Sequence, residues 1–162
     1  MAHEFSLPIN IITPGDASRL KREMVEVDDF IKQAKLRLPG KPQSDLPKTS
    51  RMLTEFATLN NLNLLTTKDR DRALTFLTDL LDNAPVVHIS FASEPSMVFM
   101  TQITTWFRTN INHSVLVNIG LEPSIAAGCT VRTDNQYHDF SLRNHFIEQR
   151  PFLLSKIRES SK

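Results

Sequence analysis

An α+β fold is expected: an N-terminal helical segment of about three helices, then a small β-α-β-β-β-α domain with a mixed sheet. Three observations predict it. Before Pro85, apolar residues recur every three or four positions, the spacing of one helix face. After Pro85, β-branched runs such as Val86-Val87-His88-Ile89-Ser90-Phe91 take over. Between the first and second helical patterns, residues 38–47 hold three Pro and a Gly, a stiff linker rather than a core element. The expected division is therefore 1–84, a reduced helical region with a Pro-rich linker at 38–48, and 85–162, an α/β domain.

Residues 5–12 are short and apolar and fit an extended segment or a loop. Thr13-Pro14-Gly15-Asp16 then reads as a helix start, with Thr as cap, Pro in the first turn and Asp three residues after the cap. Leu20, Met24, Val27, Phe30, Ile31 and Ala34 continue it as one apolar stripe to about Leu36. A second helix is expected from about 47–50, carrying Met52, Leu53, Phe56, Ala57 and Leu59, until Asn60-Asn61-Leu62-Asn63 breaks it. Thr66-Thr67-Lys68-Asp69 restarts a third, with Ala73, Leu74, Phe76, Leu77, Leu80 and Leu81 facing a partner, and it should stop before Pro85.

Downstream, 86–91 is a strand, and Ser93-Glu94-Pro95 should cap a helix with Phe99, Met100, Ile103, Trp106 and Phe107 on its core side. Residues 114–119 form a second strand, parallel to the first if the crossover is right-handed. Residues 125–132 and 136–139 suggest a hairpin around Thr133-Asp134-Asn135. The last helix should run from Ser141 toward Ile157, kinked or split at Pro151.

The 162 residues fit one domain or two small ones, with about 68–70% of the unfolded surface buried. Nineteen Lys and Arg stand against eighteen Asp and Glu. Residues 1–84 carry twelve basic and twelve acidic side chains and 85–162 seven and six, so neither part is a hidden basic domain. That balance argues against nucleic acid as a partner. A single Cys, Cys129, excludes an internal disulfide and reads as a structural thiol. The first residues lack the basic and apolar regions of a signal peptide, and no apolar run nears the ~18 residues of a span, so a cytoplasmic chain is expected.

Chemistry-bearing motifs are scarce. The five His, at 3, 88, 113, 138 and 145, have no metal-ligand spacing, and no phosphate loop or nucleophile elbow occurs. His88 reads as a packed or edge-exposed strand residue. Asp139, Ser141 and His145 stand close enough to sketch a nucleophile and base, but Asp or Ser before a helix is what capping requires. No catalytic residue, metal or cofactor is expected.

One stretch is more specific. Glu122-Pro123-Ser124-Ile125-Ala126-Ala127-Gly128-Cys129-Thr130-Val131-Arg132 leads into Tyr137-His138-Asp139-Phe140-Ser141-Leu142-Arg143. It resembles the C-terminal signature of the delta subunit of F-type ATP synthase (OSCP in mitochondria), in which an acidic-Pro-Ser-Leu/Ile-x-Gly-Gly run precedes a strand, a turn and Asp-x-Ser-x-Arg at the last helix. Pro123, Ser124, Ile125, Gly128, Asp139, Ser141 and Arg143 stand in matching places. Ala127 replaces the first glycine and Phe140 a small residue. The likeness covers about 62–158; the family's six-helix N-terminal bundle is longer than the first sixty residues accommodate.

The resemblance implies a non-catalytic peripheral-stalk (stator) subunit linking the F1 head to the membrane-anchored b stalk during rotary, proton-driven ATP synthesis. Its implied partners are the ATP synthase alpha subunit and a b-type stalk subunit, with the membrane reached only through the complex at its inner face. The stalk contact is placed on Leu142, Phe146, Leu153, Leu154 and Ile157, whose other reading is that they cover the sheet. The contact with the head is placed on Leu20, Met24, Val27 and Phe30, whose other reading is core packing. The alternatives are a stator-like regulator of an export ATPase, since related export-machine proteins look similar here, or a small α/β RNA-binding module. The latter needs exposed sheet aromatics and a basic face.

Overall fold

The computed structural model describes residues 5–37, 47–133 and 135–160. Residues 38–46 of the expected linker and Asp134 of the expected turn lie outside the described residues. Helices α1 (Pro14–Arg37), α2 (Arg51–Leu59) and α3 (Thr67–Asn83) are followed by β1 (Val86–Phe91), α4 (Met97–Asn110) and β2 (Leu116–Leu121). A short 3-10 turn, Pro123–Ile125, leads to β3 (Cys129–Arg132), β4 (Tyr137–Asp139) and α5 (Arg143–Ser160). The fold is α+β.

The helix starts follow from local chemistry. At α1, the Asp16 amide donates to Thr13 Oγ1 at 3.1 Å, while the Thr13 amide donates to Asp16 Oδ2 at 2.9 Å. This reciprocal pair satisfies amides that a helix leaves orphaned. Ser50 caps α2 by accepting from the Leu53 amide at 3.2 Å, and its hydroxyl donates to Glu23 of α1 at 2.5 Å. Between α2 and α3, Asn61 adopts a positive φ of 52°, a conformation that Asn tolerates well.

Two compact units make up the chain, Met1–Val86 with Val98–Val117, and Val87–Met97 with Asn118–Lys162. The first is thus discontinuous, taking in α4 as well as the three helices before Pro85. Its core contains Leu20, Met24, Val27 and Ile31 from α1, Leu53 and Phe56 from α2, and Ala73, Leu77 and Leu80 from α3. Phe5, Phe56 and Phe76 stack with ring centroids 5.0–6.2 Å apart, which ties the N-terminal segment to α2 and α3.

Helix α4 turns a different face inward from the one expected. It starts at Met97, later than Ser93-Glu94-Pro95 implied, and buries Met100, Thr104 and Phe107. Trp106 is 57% exposed, and Phe99 is also exposed. At 100° per residue, 100, 104 and 107 form one stripe, and 99 and 106 flank it.

The four strands lie in the order β2-β1-β3-β4. β3 is antiparallel to both β1 and β4, with His88 opposite Arg132 and Arg132 opposite Tyr137. The Leu116 amide donates to the Pro85 carbonyl and the Glu122 amide to the Phe91 carbonyl. Both partners advance by six residues, so β2 runs parallel to β1 and the sheet is mixed. The strand expected from 125 begins only at Cys129, because Pro123–Ile125 is a tight turn. The last helix is continuous through Pro151 rather than split.

Candidate functional site

Two surfaces of the second unit carry side chains that its own packing leaves in solvent. The first is α5. The turn that leads into it is set by Gly128, whose φ is +90° and where a Cβ would overlap the Phe140 carbonyl oxygen and stand 3.1 Å from Ser141 Cα. Only glycine fits there. Just upstream, Ala126 has φ +68° and ψ −53°, and the Ala127 amide donates back to the Ile125 carbonyl at 2.9 Å. This is a strained γ-turn.

Asp139 Oδ1 accepts from the Ser141 amide at 2.8 Å. Hydrogen bonds from Ser141, side chain first and then backbone, hold the Asp139 carboxyl below its ordinary value, with a further contribution from Arg143. Ser141 sits two residues before α5, not within its first turn. The shared helix face that would have paired Ser141 with His145 is therefore not formed, and Asp139 and Ser141 act as entry residues for the helix.

Leu142, just before α5, and Phe146, Leu153 and Leu154 along it are between 45% and 51% exposed, and Ile157 is exposed as well. These residues do not form a core against the sheet. Leu142, Phe146, Leu153 and Ile157 follow spacings of four, seven and four, one stripe of the helix. Arg150 falls midway along it. Arg143, Arg150, Lys156 and Arg158 outnumber Glu148 and Glu159 over the helix.

The residues expected to contact the catalytic head divide differently. Leu20, Met24 and Val27 are buried in the core of the first unit, so they present no surface to a partner. Their i, i+4, i+7 spacing marks a buried stripe and cannot by itself say what buries it. Phe30, offset from that stripe, is 44% exposed and is the one of the four that remains available.

The second surface is the polar face of the sheet. Asn118, His88, Arg132 and Tyr137 make one row across β2-β1-β3-β4, and Gly120, Ser90, Thr130 and Asp139 the next. Ile89 and Val131 point to the other face. A cleft of about 570 Å³ opens over the two rows, lined by His88, Ser90, Thr130, Arg132, Thr133 and Tyr137, with Glu122 at its margin. The alternation was legible in sequence, but the pairing that brings His88, Arg132 and Tyr137 together was not.

A buried cation, Arg70, and a half-buried one, Arg108, hold the first unit. Arg70 Nε donates to Asp28 Oδ1 at 2.7 Å, Nη1 to the Leu64 carbonyl at 2.9 Å and Nη2 to Thr67 Oγ1 at 3.3 Å. Arg108 donates to the carbonyls of Pro8, Ile11 and Val115. Burial pushes the Arg108 guanidinium below its ordinary value. Half-buried Cys129 has its thiol pushed up by burial, which disfavours a reactive thiolate. Among the described residues no cluster of three or more His, Cys, Asp or Glu could hold a metal ion, and no helix is long and apolar enough to cross a membrane.

Compared with known proteins, the chain matches no family model and no curated protein.

Proposed function

We propose that this chain is a non-catalytic stator subunit, similar to the delta subunit of F-type ATP synthase, that links a catalytic head to a membrane-anchored b-type stalk. The finer architecture belongs to the same reading: a reduced helical region serves the head, and a β-α-β-β-β-α domain serves the stalk. One observation carries it. Helix α5, entered through Asp139 and Ser141 beside Gly128, leaves Phe146, Leu153 and Leu154 half in solvent along with Ile157, and Leu142 just before it is equally exposed. A helix with such a surface gains from an amphipathic helix laid along it, and its excess of cations favours acidic flanks on that partner.

A stator resists torque through protein contacts, so it needs neither an active site nor a cofactor. In this reading the chain works at the cytoplasmic face of the membrane, which it reaches only through the complex. The head contact would use the Phe30 side of α1. Proton movement and ATP synthesis belong to the assembled machine. The sheet's polar face carries the exposed aromatic Tyr137 and the cation Arg132, but Glu122 and Asp139 stand on the same side, a charge mixture that does not favour RNA.

The test is affinity purification of the tagged protein from its native cells, compared with F146D and L153D variants. Recovery of ATP synthase alpha and the b-type stalk subunit, with the stalk lost in both folded variants, is the expected result. Recovery of export-machine proteins would select an export-ATPase regulator instead. Nucleic acid retained with a steep salt dependence would overturn the stator reading.

A further inference from the structure

The cleft on the polar sheet face has a composition that a structural surface does not need. Arg132 stands exposed in the middle of the sheet, opposite His88 on β1 and Tyr137 on β4. It forms no ion pair among the described residues. A guanidinium offers five N–H donors in a planar fork suited to the oxygens of an oxyanion. His88 adds to it. Its Nδ1 lies 3.3 Å from Asn118 Nδ2, and an Nδ1 that accepts from that amide leaves Nε2 to donate into the cleft. The Tyr137 hydroxyl completes a row of donors at one end of the cleft.

The other end is different. Ser90 and Thr130 supply hydroxyls from paired positions on β1 and β3, and Glu122 supplies a carboxylate that accepts from Ser124 Oγ at 2.9 Å. Opposite Ser90, Gly120 leaves room where a Cβ would stand 3.0 Å from its Oγ. The cleft is therefore polarised, donors at the Arg132 end and acceptors at the Glu122 end. Its volume of about 570 Å³ is ordinary for a small-molecule site and exceeds what a lone phosphate fills.

We propose that this cleft binds a small phosphomonoester with a hydroxylated body, its phosphate on Arg132, His88 and Tyr137 and its hydroxyls donating to Glu122. A phosphate has three free oxygens for the three donor side chains, whereas a carboxylate has two. The site lies on the sheet, apart from the apolar stripe of α5, and stands or falls independently of the stator reading.

Ribose 5-phosphate is a suitable probe, titrated into nitrogen-labelled full-length protein while the amide signals are followed by NMR. Saturable shifts at residues 88, 90, 130, 132 and 137 are expected, with inorganic phosphate binding more weakly at the same residues. R132M should weaken binding about tenfold or more, the loss of one charge-assisted fork. E122Q should weaken ribose 5-phosphate but leave inorganic phosphate unchanged. Ribose without phosphate should not bind. Absence of saturable shifts up to about 10 mM ligand, or equal binding by R132M with an otherwise unchanged spectrum, would overturn the proposal. Equal binding of ribose 5-phosphate and inorganic phosphate, indifferent to E122Q, would overturn its hydroxylated-body half and leave an adventitious ion only.

Discussion

Arg70 Nε donates to Asp28 Oδ1 at 2.7 Å across 42 residues of chain, with the arginine side chain fully buried and the aspartate 5% exposed. Lys32 Nζ holds the other carboxylate oxygen at 2.6 Å. The pair fixes α3 against α1 at one register. Breaking it from one side should cost about 3–5 kcal/mol, because a buried charge is left alone, whereas replacing both partners by apolar residues is far milder. D28L strands the fully buried Arg70 and is therefore expected to lower the denaturation midpoint strongly, with D28L plus R70M recovering most of the loss, whereas R70M alone leaves Asp28 paired with Lys32 and should cost less. Chemical denaturation of the three proteins checks it.

The same carboxylate sets an acid dependence. Burial alone would raise Asp28, but hydrogen bonds from Lys32 and Arg70, with their charges, more than offset it and hold the group below its ordinary value. A folded-state value below the unfolded one contributes stability that is present above the unfolded value and lost as pH falls through the folded one. D28N should thus flatten the fall in stability below about pH 4. A stability curve from pH 7 to 2 that keeps its slope in D28N would contradict this.

Two small residues in one turn should respond in opposite directions. Gly128 at φ +90° admits no side chain, so G128A should cost at least about 2 kcal/mol through overlap with the Phe140 carbonyl. Ala126 sits at φ +68° with a side chain it would better lack, so A126G should raise stability by up to about 1 kcal/mol. Thermal melts of both variants read the contrast.

The Thr104 hydroxyl is buried in α4 with no hydrogen-bond partner among the described residues. Valine has the same shape and no polar atom. T104V should leave stability unchanged or raise it by about 1 kcal/mol, against the usual loss from a core substitution. A melting temperature several degrees lower would show that the hydroxyl has a partner.

Arg108 gathers the carbonyls of Pro8, Ile11 and Val115 around one guanidinium. R108M keeps the stem but loses the fork, which should cost about 2–3 kcal/mol and open residues 5–12 to exchange. Hydrogen exchange confined to that segment is the expected signature.

The helices before Pro85 and the first strand were legible because capping residues and apolar spacing act locally: Thr13 with Asp16, Ser50, and the β-branched run 86–91. What burial does with a stripe was less legible. Leu20, Met24 and Val27 had the spacing of a groove lining and turned out to be core, since periodicity marks an apolar face without naming what covers it. Trp106 was misplaced because α4 buries Met100, Thr104 and Phe107, and no local signal says that a threonine will lie inside while a tryptophan lies out. Asp28–Arg70 and the row from Asn118 to Tyr137 rest on contacts between distant segments, which spacing alone does not encode. Pro151 lies inside a continuous α5 although proline removes one interior hydrogen bond, and nothing in the structure explains why the helix carries on through it.

The stator reading stands or falls on whether α5 has a partner helix. Hydrogen exchange of the full chain, alone and with a soluble fragment of the b-type stalk subunit, tests that directly. Slowed exchange along 143–158 is expected in the complex, abolished by F146D or L153D while the rest of the chain keeps its own pattern. Unchanged exchange on α5, or protection appearing only elsewhere, would contradict it.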